Sequence, residues 1–403
     1  MATASEPEVH RAPKGKLTTW WSKVIQCNPA GLYWARGVLV LDIALVPLIV
    51  LWATGYEQYL LSALFGLLFS VVADPGGSFP RRVSHTALFG LIGAGLTALG
   101  FYVGAQSWGW LALAAFAITL VAGLAAAFGA HRYASALLLN IWFVIALAVS
   151  SGLHHDAHIS SYTWAQTAAW SGGAALWIAA SFLEWLIRGR SDRPPPVQEI
   201  PGDTARRKLT APMVVYAAVR ALVMFGTVAL AFGLELSHGL WLPIAAIIAM
   251  KPSLEQSALV GAQRLIGAAV GAVAAALLLL IPASEHGAKL LVVERGLEMV
   301  ALVLFMHAVA VRFWNYAAYT AAVAAGVLIL MDLPQPSDYQ AEGYRVLWTF
   351  CGVAIGVLVM LLTGLLGKRR AHKAAPVSPS QSWSADGGSH RPVDQRPQGG
   401  HDG

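Results

Sequence analysis

Long apolar segments separated by short polar loops run through residues 37–366 of this chain. A helix that crosses a bilayer needs roughly 20 mostly apolar residues. Twelve segments are candidates for such helices, although one of them, 239–250, looks short. The pattern therefore predicts an all-α polytopic membrane protein with about twelve transmembrane helices. The candidate segments are 37–54, 58–73, 84–105, 108–128, 134–152, 164–187, 213–234, 239–250, 258–282, 294–311, 316–332 and 345–366.

Composition and motifs narrow the class further. Charged residues make up 12% of the chain and apolar residues 57%, which excludes an ordinary soluble protein. Two cysteines cannot build a disulfide framework or a zinc site. The sequence has no GxxxxGK[ST] loop, no HExxH motif and no GxSxG elbow, and no basic module interleaved with aromatic residues. We therefore expect no enzyme, no cofactor, no metal and no nucleic-acid partner.

One membrane segment is approximately repeated. Residues 73–100 and 250–277 both contain a helix end, a charge–proline pair, a short polar loop and a glycine-rich apolar helix. A second echo relates His131-Arg132-Tyr133-Ala134 to Trp314-Asn315-Tyr316-Ala317. Because each half holds an even number of segments, the two copies enter the membrane from the same side. The expected architecture is two parallel six-helix repeats, related by an axis along the membrane normal.

The same reading divides the chain into five parts. The polar linker contains three consecutive prolines and several charges, and the tail is rich in Gly, Ser, Pro, Gln and His. The predicted parts are a cytoplasmic N-terminal segment 1–34 with an interfacial helix within 17–34, a first repeat 35–187, a cytoplasmic linker 188–212, a second repeat 213–367 and a disordered tail 368–403.

The distribution of Lys and Arg predicts the orientation. These residues stay mainly on the cytoplasmic side of a membrane. With the N-terminus inside, the outer segments hold only Lys289, Arg295 and Arg345, and all other basic positions lie inside. Both termini are therefore expected in the cytoplasm. The basic segment ends also favour contact with anionic lipid headgroups, so membrane lipids are expected partners.

Five arginines lie at or within the predicted spans. A charge at membrane depth usually faces a cavity, a partner or an interface. Together these arginines favour a cationic vestibule that holds a carboxylate bidentately, with Asn315 and Tyr316 as hydrogen-bonding residues. The alternative is that the arginines anchor span ends to lipid phosphate and that Asn315 and Tyr316 brace neighbouring helices. The five are Arg36, Arg132, Arg220, Arg264 and Arg312, of which Arg36 and Arg220 head the first and seventh spans.

Three titratable residues within the spans are candidates for proton coupling: Asp42, Glu298 and His307. Asp42 follows Arg36 by about a turn and a half. Asp42 also fits a role in neutralising a neighbouring arginine, and His307 fits a hydrogen-bonded core residue. The loops at Asp74-Pro75 and Lys251-Pro252 are interpreted as helix stops. Their opposite charges suggest that the two halves meet there.

Two motifs resemble the fusaric acid resistance (FUSC) family, which includes the aromatic acid exporters. Lys251-Pro252 is followed by a run from Arg264 to Gly271 that is similar to the family's Arg-x-x-Gly-Thr-x-x-Gly, with Ala268 in place of Thr. Asn315-Tyr316-Ala317 resembles the family's Asn-Tyr pair. The resemblance covers about residues 30–366 and is strongest in 213–366. The plant aluminium-activated malate channels are more distantly similar.

The resemblance implies a bacterial inner-membrane protein that exports aromatic or other organic acids, driven by the proton gradient. The chain departs from it in two ways. Only the linker 188–212 stands where many members carry a cytoplasmic domain, and Ala87 stands in the first copy where the second has Arg264. In the preferred hypothesis, Arg264, Arg220 and Arg36 bind the anion while Asp42 or His307 carries the proton. A passive anion channel, a lipid-binding scaffold, a homo-oligomer and an accessory export subunit stay open.

Overall fold

The computed structural model describes Ser22, 26–155, 162–187, 189–190, 208–250, 254–283, 288–332 and 340–374. Twelve α-helices account for most of these described residues. They are α1 (Trp34–Thr54), α2 (Leu60–Ala73), α3 (Phe79–Val103), α4 (Trp108–Leu124), α5 (Ala130–His155), α6 (Thr163–Ile187), α7 (Ala211–Gly233), α8 (Trp241–Ala249), α9 (Leu254–Ala283), α10 (Ala288–Val311), α11 (Tyr316–Asp332) and α12 (Gln340–Ala374).

Eight of these helices are long and apolar enough to cross a membrane, so the chain is a polytopic helical membrane protein. The eight are α1, α3, α4, α5, α6, α7, α9 and α12. The expectation of twelve spanning helices is therefore not met by length and composition. Helix α8 has 9 residues, and at 1.5 Å per residue it is only about 14 Å long. Helix α10 is long enough, but its first half carries Lys289, Glu294, Arg295 and Glu298.

Local sequence explains several helix ends. Helix α1 ends at Gly55, whose φ of 74° allows its N–H to reach the Leu51 and Trp52 carbonyls. Helix α2 ends before Asp74-Pro75, because proline cannot supply the N–H that the next turn would need. Helix α3 then begins after Ser78 with Pro80 in its first turn, where a missing N–H costs nothing. The matching pair Lys251-Pro252 lies outside the described residues.

The two short helices α2 and α8 are enclosed by other helices. All nine residues of α8 are buried, and so are most residues of α2. The surrounding long helices instead expose large apolar side chains, among them Leu91 at 72%, Val121 at 68% and Val273 at 61%. Such exposed apolar faces suit a lipid environment, where the solvent is itself apolar. The core therefore lies around α2 and α8.

Two glycines let long helices approach the short ones in the same way. A Cβ on Gly173 of α6 would overlap the Ala63 carbonyl and lie 2.8 Å from the Leu67 nitrogen. A Cβ on Gly352 of α12 would overlap the Leu242 carbonyl and lie 3.0 Å from the Ala246 nitrogen. In each of the three matching pairs the partners are 179 residues apart along the chain. Only a residue without a side chain fits at these crossings.

Two further helix contacts join the N-terminal and C-terminal halves of the chain. Helix α1 packs against α10, and α4 packs against α7. A Cβ on Gly37 would lie 2.8 Å from the Met306 carbonyl, and one on Gly123 would lie 2.8 Å from Cβ of Ala217. Both contacts are therefore close, backbone-to-backbone crossings.

The chain divides into two units, Met1–Leu362 and Thr363–Gly403. The first holds the helices up to most of α12. The second is described as far as Ala374, where α12 ends beyond the predicted boundary at 367. The predicted interfacial helix within 17–34, most of the linker 188–212 and the tail beyond Ala374 lie outside the described residues. Residues 26–33 are described and contain a short 3-10 helix, Pro29–Gly31.

Candidate functional site

The Asp74 carboxylate is the most densely bonded group in the described part of the chain. It lies directly after α2, and only 2% of its side chain is exposed. The Arg82 guanidinium donates to it from Nη2 at 2.7 Å and from Nε at 3.2 Å. The indole N–H of Trp177 donates to it at 3.2 Å, and the backbone N–H of Gly76 at 2.9 Å. A second guanidinium, that of Arg36, lies 3.8 Å away.

These donors keep Asp74 ionised despite its burial. Burial by itself opposes the charged form and would raise the pKa of the carboxyl. The hydrogen bonds and charge of Arg82, the charge of Arg36 and the Gly76 N–H outweigh burial and lower the pKa below its ordinary value. The carboxylate is therefore an internal counter-ion for two arginines.

Arg82 also connects this carboxylate to α6. Its guanidinium lies 3.6 Å from the Glu184 carboxylate and donates to the Ser181 hydroxyl at 3.4 Å. The Arg36 guanidinium lies over the Trp177 ring of the same helix, 5.7 Å from its centroid. The Asp74 loop, α1, α3 and α6 thus meet at one point.

The C-terminal carbonyls of α2 bind two arginines from different halves of the chain. Arg36 of α1 donates to the Val71 carbonyl at 2.7 Å, and Arg312, which follows α10, donates to the Val72 carbonyl at 3.0 Å. The C-terminus of a helix carries about half a negative charge, which favours cations there. We call Arg36, Asp74, Arg82 and Arg312 the basic cluster. It holds three formal positive charges and one negative.

Arg264 lies next to this cluster, on α9. Its guanidinium interacts with the Tyr316 hydroxyl and the neighbouring Tyr319, which also face Arg312. The rings of Tyr316 and Tyr319 lie 5.8 Å apart. The buried Nε of Arg264 has no hydrogen-bond partner among the described residues. The structure therefore brings together four predicted site residues: Arg36, Arg264, Arg312 and Tyr316.

Arg220 belongs to a separate site that also joins the two halves. It is 2% exposed, and its guanidinium donates to the Tyr133 hydroxyl of α5 and to the Ile247 carbonyl of α8 at 3.3 Å. The guanidinium lies over two rings, 5.2 Å from that of Tyr133 and 5.5 Å from that of Tyr216. We call Arg220, Tyr133 and Tyr216 the tyrosine site.

The two sites show that Arg36 and Arg220 do not occupy matched positions. Tyr216 donates to the Met250 carbonyl at 3.0 Å, and Met250 lies 179 residues after Val71, the acceptor for Arg36. Tyr216 is therefore the counterpart of Arg36, with a hydroxyl in place of a guanidinium. Arg220 lies one turn further along α7.

The other predicted substrate residues lie at the margin. Asn315 accepts from the Ala318 N–H at 3.0 Å and donates to the Gln26 carbonyl at 3.2 Å, which caps the start of α11 and ties residue 26 to it. Arg132 is exposed, with its guanidinium 5.9 Å from the centroid of the Phe128 ring. Their roles in substrate binding stay predictions.

The three predicted proton carriers lie apart from one another. Asp42 is exposed on the face of α1 that also exposes Val38 and Val46. His307 bonds through Nδ1 to the Val303 carbonyl at 2.7 Å and packs edge-on against Trp34. Glu298 pairs with Arg295 at 3.0 Å.

That ion pair continues across the α1–α10 contact. Arg295 also pairs with Glu57, and its guanidinium lies 4.9 Å from the centroid of the Trp52 ring. Glu298 thus forms part of a link between α10 and the α1–α2 connection. The coupling roles of Asp42, Glu298 and His307 stay predictions.

Sequence reasoning missed Asp74 and Arg82 as site residues and interpreted the Asp74 loop only as a helix stop. It also missed Trp177, Tyr133 and Tyr216. A signal existed for two of them, because a charge directly after the apolar α2 must find partners and Tyr133 belongs to the echoed His-Arg-Tyr-Ala motif. Trp177 and Tyr216 carry no such signal.

Two other kinds of site can be compared with these clusters. Within the described residues, no group of three or more His, Cys, Asp and Glu is placed to hold a metal ion. An open depression of about 830 Å³ has a lining that includes Ala98, Tyr162, Trp164, Thr167 and Ser171. None of its lining residues is charged, so it does not suit a small anion.

Comparison with known families gives one match. Residues 222–359 match the model of the family described as fusaric acid resistance protein-like. The matched range contains Arg264, Arg312, Asn315 and Tyr316, while Arg220 lies two residues before it. Neither the curated proteins nor the solved structures give a match. The match confirms the resemblance seen in the motifs, and with the spanning helices it identifies an integral membrane protein with a transport domain of the fusaric acid resistance-like type.

Proposed function

We propose that this protein is a secondary transporter that exports small organic anions, aromatic acids among them, across a bacterial plasma membrane. In this proposal both termini lie in the cytoplasm and the proton gradient drives export. The family match supports a transport role in general. The charges of the two sites support an anion as the substrate.

The observation that carries the proposal is a set of arginines without a carboxylate. Arg220, Arg264 and Arg312 form no ion pair with any carboxylate of the described residues, and their partners are tyrosines and helix carbonyls. A guanidinium removed from water is costly unless a counter-ion compensates it. Dipoles and aromatic rings compensate only part of a full charge. An entering anion would supply the rest, and a planar carboxylate matches the guanidinium fork.

In the basic cluster the anion would compete with an internal group. Asp74 already occupies one face of Arg82 and lies near Arg36. A carboxylate that binds Arg36 or Arg312 replaces part of the attraction that Asp74 supplies. Asp74 then keeps the empty site neutral enough to fold, while the excess positive charge of the cluster attracts the substrate. Asp42, Glu298 and His307 stay proposed proton carriers.

We further propose that the twelve helices form two parallel six-helix units, α1–α6 and α7–α12. The constant separation of 179 residues at the Gly173 and Gly352 crossings supports this division. So does the pairing of α1 with α10 and of α4 with α7, because exchanging the two units turns one contact into the other. The short helices α2 and α8 would then face each other as equivalent inner elements rather than as independent spans.

Flux of radiolabelled benzoate in proteoliposomes tests the function. We expect uptake driven by a pH gradient in the wild type and its loss in Arg264→Ala, with both proteins equally monodisperse. Arg190→Ala is the matched control, because that arginine is exposed and contacts only the Trp185 ring in the described structure. Unchanged flux in Arg264→Ala would remove Arg264 from the mechanism.

The same assay separates the alternatives. Downhill flux that ignores the pH gradient would indicate a passive anion channel. No flux with any of a panel of organic acids would indicate a scaffold that binds lipid. A fluorescent protein fused after residue 403 folds only in the cytoplasm, so its fluorescence tests the proposed orientation. Size-exclusion chromatography tests whether the protein forms a homo-oligomer.

A further inference from the structure

Two histidines outside the predicted site residues contact each other. His85 of α3 and His131 of α5 have ring centroids 5.2 Å apart, with their planes inclined by 44°. Nε2 of His85 lies 3.3 Å from the Ser135 hydroxyl. The buried Nε2 of His131 has no hydrogen-bond partner among the described residues. The pair therefore contains a ring nitrogen that is free to take part in binding a proton.

The pair lies beside the basic cluster. His131 interacts with the carbonyl of Ala73, the residue directly before Asp74. The charged groups that act on the two rings come from every neighbouring element: Asp74 after α2, Arg81 on α3, Arg132 on α5 and Arg312 after α10. A charge gained by either ring would thus be felt by Asp74 and Arg312, which belong to the cluster.

Elementary electrostatics limits how the pair can be charged. Histidine is the side chain whose ordinary titration falls near neutral pH. Two imidazoles in contact do not both accept a proton readily, because like charges repel at this distance. The pair then switches between no charge and one charge as the pH falls. Arg81, Arg132 and Arg312 oppose that charge, and Asp74 favours it.

We propose that His85 and His131 together bind one proton, and that this proton strengthens anion binding at the basic cluster. The inference rests on the proposed transport of anions. An anion bound at the cluster offsets the arginines that oppose the proton, so proton and anion favour each other. By linkage the effect is reciprocal: the anion also raises the affinity of the pair for its proton. Anion affinity thus depends on the pH at this end of the protein.

Histidine NMR of the full-length protein in nanodiscs tests the proton site without a substrate. Signals are assigned with His85→Gln, whose amide can still reach Ser135, and His131→Asn, which keeps a donor for the Ala73 carbonyl. In the wild type we expect the two rings to titrate as a coupled pair. Removing one ring should shift the titration of the other toward that of an isolated histidine. Two independent titrations, unchanged by the partner's removal, would overturn the proposal.

Benzoate exchange tests the link to the anion, measured with equal pH on both sides of the liposome. We expect the wild-type affinity to rise on the order of fivefold between about pH 8 and pH 6. The affinity of His85→Gln and His131→Asn should change little, while His307→Gln keeps the wild-type response. A retained response in both pair variants, or its loss in His307→Gln alone, would overturn the proposal. Absence of any exchange by the wild type would instead reject the transport function, and the NMR titration would then decide the proton site by itself.

Discussion

Arg82 and Asp74 form a bidentate ion pair, with Nη2 at 2.7 Å and Nε at 3.2 Å from the same carboxylate oxygen. The pair joins the start of α3 to the end of α2, and Glu184 extends it to α6. Because Asp74 is almost fully buried, removing one partner leaves the other charge uncompensated. The pair is therefore a sensitive point for both stability and the proposed anion site.

Asp74→Asn should destabilise the protein strongly. The variant leaves Arg82 and Arg36 without their shared carboxylate, and loss of one partner of a buried pair costs about 3 kcal/mol. Thermal unfolding in detergent should show a clearly lower midpoint. Glu184→Gln is the control, because that carboxylate is 26% exposed and 3.6 Å from Arg82; a partly exposed pair contributes about 1 kcal/mol or less. Equal losses in the two variants would contradict this ranking.

Acidification should remove the contribution of Asp74. The folded-state pKa of this carboxyl is lowered, so the folded protein binds the proton less readily than the unfolded chain does. The contribution is complete above the unfolded pKa of about 3.9 and is lost as the pH falls through the lowered folded value. The difference in stability between wild type and Asp74→Asn should therefore shrink below about pH 4. A difference that stays constant down to pH 2 would show that the carboxylate charge is not its source.

Substitution of the two crossing glycines should disrupt both halves in the same way. Gly173→Val and Gly352→Val each place a side chain on a carbonyl of the enclosed short helix, so we expect poor folding and loss of monodisperse protein. Gly172→Ala and Gly343→Ala are the matched controls, because a Cβ at either position meets nothing within 4 Å. Fluorescence-detected size-exclusion chromatography compares the four. Normal behaviour of either valine variant would mean that its crossing is looser than the structure shows.

Arg220→Lys should impair transport more than stability. Lysine keeps the positive charge but loses the planar group that lies over the Tyr133 and Tyr216 rings and the fork that matches a carboxylate. We expect benzoate flux to fall about tenfold or more, a loss of at least ~1.4 kcal/mol of transition-state or binding free energy. Arg190→Lys, at an exposed position, should leave flux unchanged. Wild-type flux in Arg220→Lys would show that only the charge matters at this site.

The positions of the helices could be predicted from sequence with useful accuracy. The apolar segments 316–332 and 164–187 differ from the observed α11 and α6 by at most one residue at either end. The segment 239–250 looked short, and α8 is short. Such features follow from the local pattern of apolar residues and prolines. The number of spanning helices did not follow, because α2 and α8 are apolar on all sides through being enclosed, not through crossing lipid.

The sequence by itself thus determined the class of the protein, the course of its helices and the Arg264–Gly271 motif that the family match confirms. Only the tertiary structure decided which charges meet. Asp74 contacts Trp177, which is 103 residues away, and Arg220 contacts Tyr133, which is 87 residues away. Apolar patterning shows which face of a helix is buried, but a close crossing such as Gly173 on Ala63 selects the neighbour. The partner of each buried charge depends on that choice, so the basic cluster and the tyrosine site emerge only when the helices are packed.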